Sequence, residues 1–69
     1  MLGELSGALA HELNQPLTSI LSNAQAAQLF IARGVVSADE IGPILDDIVK
    51  ADRRAGDIIR RLRRLLKKD

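Results

Sequence analysis

With 69 residues, 46% of them hydrophobic and 28% charged, the chain is one structural unit at most and small for a self-sufficient core. It has no cysteine and a single histidine, which excludes a disulfide framework and a thiolate metal site. A formal net charge of +1 speaks against a dedicated nucleic-acid binder, and no uninterrupted apolar run approaches the ~20 residues that span a bilayer.

Apolar residues recur at intervals of three and four from the start: Leu2, Leu5, Leu9, Leu13, Leu17, Ile20, Ala24, Ala27 and Ile31. At about 100° per residue they gather on one side of an α-helix. The first helix is therefore expected over about residues 2–33, with Gly34 placed where a left-handed C-terminal residue belongs. Ser37-Ala38-Asp39-Glu40 then has the form of a capping box, a Ser at the N-cap and a Glu three residues on. The connection falls at about residues 34–37 and a second helix at about residues 38–68.

That second helix carries a heptad repeat. With Ile41 at position a, the a row reads Ile41, Ile48, Ala55 and Leu62, and the d row Ile44, Ala51, Ile58 and Leu65. Leu45, Ile59 and Leu66 widen the seam at e, where Asp52 is the exception, and so wide a seam suits a bundle better than a two-stranded coiled coil. Pro43 leaves two readings open: it kinks the first turns, or the regular helix begins there with Pro43 at its first position.

A lone hairpin of two such rods buries only one flank of each. Pairing with a second copy closes the core. The expected fold is all-α: an antiparallel two-helix hairpin, one domain over residues 1–69, that dimerises into a four-helix bundle. No signal-peptide pattern opens the chain, and the periodicity runs on to Leu66 without a terminating signal beyond Lys67-Lys68-Asp69, so it reads as a segment of a longer protein.

The candidate site is the run His11-Glu12-Leu13-Asn14-Gln15-Pro16-Leu17. His11 lies roughly 180° from the centre of the apolar stripe, turned toward solvent. Pro16, inside the helix, removes one hydrogen bond and crowds the Glu12 carbonyl, so a helix kink is expected within a turn of the ring. Gln15, four residues beyond His11, shares its face, and Thr18 and Ser22 continue that line. Glu12 is about 100° around, and its length permits contact with the ring without requiring it. His-Glu-Leu-Asn-Gln begins like a zinc-protease helix, but Gln15 stands where the second histidine belongs, so no metal site is expected. With no glycine-rich phosphate loop there is no evident nucleotide site within the segment. Arg60, Arg61, Arg63, Arg64, Lys67 and Lys68 read as a solvated helix end favoured by the helix dipole rather than as a polyanion site.

The His11–Leu17 run resembles the phosphoacceptor box of bacterial two-component sensor histidine kinases. The similarity extends through Ser22-Asn23-Ala24-Gln25-Ala26-Ala27, Asp52-Arg53-Arg54-Ala55-Gly56 and Ile59-Arg60-Arg61-Leu62-Arg63, essentially the whole chain. The wording is similar to the subgroup that includes oxygen-sensing and nitrogen- or dicarboxylate-responsive kinases.

The resemblance implies a homodimeric domain in which His11 is phosphorylated, on Nε2, by ATP and Mg held in a separate kinase domain of the same protein. It further implies transfer of the phosphoryl group to an aspartate of a response regulator receiver domain, on the cytoplasmic side, with no nucleic-acid partner and no direct membrane insertion of this segment. Glu12 matches the acidic residue that holds the other ring nitrogen and fixes the tautomer that leaves Nε2 free. Many members carry Thr or Asn four residues after the histidine, linked to dephosphorylation of the regulator; here Gln15 takes that place, an amide able to orient a water. The regulator would dock along Gln15, Thr18, Ser19, Ser22 and Asn23. The rival readings are a purely structural dimerisation module and a histidine phosphotransfer relay protein.

Overall fold

Two helices account for nearly all of the chain. The computed structural model describes the backbone of residues 2–67 and the side chains of residues 7–67. Helix α1 is Leu2–Ala32 and helix α2 is Ala38–Leu66, packed against each other as a hairpin, with no strand among the described residues.

The connection is held by backbone chemistry. At the end of α1 the Val35 N–H bonds to the Phe30 carbonyl at 2.8 Å and the Gly34 N–H to the Ile31 carbonyl at 3.0 Å. These are the two crossed bonds of a Schellman motif, which satisfies carbonyls the last turn leaves open. The motif needs a left-handed residue between them, and Gly34 supplies it at φ +76°. Three residues later Ser37 caps α2: its backbone is extended, and its Oγ accepts from the Glu40 N–H at 3.3 Å. Asp39 and Glu40 place negative charge in that first turn, and Arg63 and Arg64 place positive charge in the last, both in accord with the helix dipole.

Both prolines lie inside continuous helix. α2 begins at its Ser37 cap and runs through Pro43, so the alternative start at Pro43 is not adopted. The carbonyl that Pro43 cannot bond belongs to Asp39, in a first turn exposed to solvent. Pro16 is different. Its ring is buried and lines the groove between the helices together with Ile58, so it works as a packing residue as well as a missing donor. α2 ends at Leu66, with Lys67 in an extended conformation. The expected last helical residue, 68, and the side chains of Leu2 and Leu5 lie outside the described residues.

The seam follows the heptad. Ile44, Ala51, Ala55 and Ile58 are buried, Ala51 completely, and Ile41, Ile48 and Leu62 are partly covered. Two alanines in mid-seam let the backbones come close. The e row does not join this contact: Leu45 is 53% exposed and Leu66 56%. On α1, Leu17 at 48% and Leu21 at 58% are also open, on the same side of the hairpin as Leu45 and Val49 by helical angle. The molecule measures 53 × 17 × 11 Å, a slab one helix thick. Its radius of gyration is 16.0 Å, against ~11 Å for a compact chain of this length.

Candidate functional site

One broad face of the slab is apolar and the other is polar. Along the polar face runs a groove between the helices. Near the middle it is lined by Ser19, Asp47, Lys50, Arg53 and Arg54; further along by Glu12, Pro16, Arg54, Asp57, Ile58 and Arg61; and at the end remote from the connection by Ala8, Leu9, Arg61, Arg64 and Leu65. On α1, the flank bordering this groove leads around to His11, which is exposed.

His11 stands on a turn of α1 whose more covered residues are Leu9, Glu12 and Leu13, all partly buried. Those residues tie the helix down while the imidazole remains open to solvent. Gln15, Thr18 and Ser22 are exposed on the same flank. Ser19 and Asn23 lie further around, half-buried toward α2, and the Asn23 amide donates to the Ser19 carbonyl at 2.8 Å. The five expected docking residues thus divide into three that share the histidine's open flank and two that are half-buried, of which Ser19 lines the groove.

Glu12 points into the groove. Its Oε2 accepts from Arg61 Nη2 at 3.1 Å, a bond that joins residues 49 apart in sequence and crosses from α2 to α1. Both side chains are about half exposed, 45% for Glu12 and 49% for Arg61, so the pair contributes roughly 0–1 kcal/mol. Arg61 was not among the sequence-derived site residues. The signal that identifies it is the heptad: Asp47, Arg54 and Arg61 form the g row, the position from which charges reach across to a neighbouring helix. The other ion pair among the described residues, Arg60 with Asp57, stays within α2.

Among the described residues no group of three or more His, Cys, Asp and Glu side chains is placed to hold a metal ion. What the described residues present is a lone outward imidazole on a thin helical module.

Comparison with known proteins gives that module its family. The His Kinase A (phospho-acceptor) domain matches residues 1–69, and the chain belongs to this family. It is 39% identical over 67 residues to the sensor histidine kinase TmoS of Ectopseudomonas mendocina, covering 97% of the chain and 7% of that protein. It is 40% identical over 63 residues to the sensor protein FixL of Bradyrhizobium diazoefficiens, covering 90% of the chain and 12% of that protein. With the tetrathionate sensor histidine kinase TtrS of Salmonella typhimurium it shares 38% identity over 66 residues, 91% of the chain and 10% of that protein. The chain therefore spans about a tenth of the length of these relatives. No solved structure matches it.

Proposed function

We propose that this chain is the phosphoacceptor and dimerisation segment of a sensor histidine kinase, with His11 as the acceptor. The observation that carries the reading is the exposed His11 on the polar face of a hairpin whose opposite face is apolar and uncovered. Membership of the phosphoacceptor family supports it. The apolar face calls for a second copy, which would complete a four-helix bundle and leave two imidazoles pointing outward.

The chemistry is a double displacement. The Nε2 lone pair of His11 attacks the γ-phosphorus of ATP held by a kinase domain of the same protein, the bond to ADP breaks, and a phosphorus–nitrogen bond forms. An aspartate carboxylate of a response regulator then attacks that phosphorus, and the imidazole leaves. Phosphoryl transfer depends chiefly on alignment and charge stabilisation, so an open, oriented ring meets this segment's share. Mg and ATP belong to the kinase domain, and the reaction belongs to the cytoplasmic side, where ATP is available. In this reading Glu12 serves the ring by accepting from Nδ1–H once its carboxylate leaves Arg61, and Gln15, exposed one turn on, orients a water against the phosphorylated regulator. The regulator's docking flank is Gln15, Thr18 and Ser22, with Ser19 and Asn23 half-buried beside it.

The test is labelling. Incubation of the full kinase with Mg and γ-labelled ATP should give an acid-labile, base-stable label that His11→Gln abolishes. Label that persists in that variant would reject the assignment.

A further inference from the structure

Resting on that reading of His11, we propose that Arg61 is a positioning residue that competes with the His11 ring for the Glu12 carboxylate, so that the seating of α2 against α1 governs how readily the ring is phosphorylated. Three observations support this. First, the Glu12 side chain leaves α1 about 100° around from His11, and its carboxylate is drawn toward α2 by a 3.1 Å bond to Arg61. A carboxylate extended across the groove is not folded back over the neighbouring imidazole. Second, the pair is half exposed on both sides, which makes it weak enough to exchange partners within ordinary side-chain motion. A buried pair in this place would be a clamp; this one is a contest. Third, Arg61 belongs to α2 while His11 and Glu12 belong to α1. The bond is therefore the element of the site that registers how the two helices sit relative to one another.

The consequence has a sign. Taking Arg61 away frees Glu12 for Nδ1–H of His11 and raises the rate of phosphorylation. The range that exposed pairs of this kind span sets the rise at up to about fivefold. The experiment measures initial rates of His11 labelling in the full-length kinase. Arg61→Gln should be faster than the parent, and Arg61→Lys, which keeps a cation within reach of the carboxylate, should return most of the way to the parent rate. Arg60→Gln serves as a control for charge loss, because Arg60 pairs with Asp57 within α2, and it should label at the parent rate. In a Glu12→Gln background, where there is no carboxylate to contest, Arg61→Gln should give no rise, and this double-mutant cycle separates a role through Glu12 from a merely structural one. A rate that is unchanged or lower in Arg61→Gln, or that rises equally in the Glu12→Gln background, overturns the inference. Label that survives His11→Gln instead overturns the acceptor reading on which it rests.

Discussion

Gly34 shows how much a single residue can decide. Its φ of +76° lies where L side chains are strained, yet nothing stands within 4 Å of the place a Cβ would occupy. The requirement is therefore one of backbone conformation, without any shortage of room. Gly34→Ala should cost about 1–2 kcal/mol of stability through left-handed strain, seen as an earlier denaturant midpoint with an unchanged m-value at fixed protein concentration. The glycine, the Ser37 cap and the exposed His11 were all legible in the sequence, because each is a local property of spacing and residue type. Arg61 was not read as part of the site. Its partner is 49 residues away, and pairing the two requires the register of one helix against the other, which periodicity along a single helix does not contain.

Among the elements, the α2 seam is the more demanding. Ala51 is completely covered and Ala55 nearly so, at 6% exposed, both at positions where a larger side chain would push the helices apart. Ala51→Leu should cost about 1–3 kcal/mol by overpacking, measurable as a lower thermal midpoint. The a and d rows could be read directly from the heptad, and the structure buries or partly covers most of them. The e row could not be placed the same way: periodicity marks it as apolar, but only the packing shows that Leu45, Ile59 and Leu66 are left 53%, 39% and 56% exposed. Pro16 carries a related lesson. As a sequence feature it signals a lost hydrogen bond, and its burial in the groove beside Ile58 becomes visible only when the second helix is in place.

For the whole molecule, the dimensions carry the argument. A slab 11 Å thick with Leu17, Leu21, Leu45 and Val49 open along one face has more apolar surface than a stable monomer of this size leaves in water. Leu17→Glu combined with Val49→Glu puts charge into that face without touching His11 or the groove. Sedimentation equilibrium should show the parent as a dimer and the double variant at half its mass, with a loss of helicity. A parent that sediments as a folded monomer would contradict the burial argument. Among the described residues no helix is long and apolar enough to cross a membrane.

The thinness of the slab has one more effect. The side of α1 that offers its imidazole and the side that carries the open Leu17 and Leu21 belong to the same rod, about 80–120° apart around its axis. A roll of that rod about its long axis would turn both at once, re-aiming the ring at whatever approaches from outside as it shifts the leucines. Rotation at one end of α1 would thus be felt along its whole length, without any change of secondary structure in between.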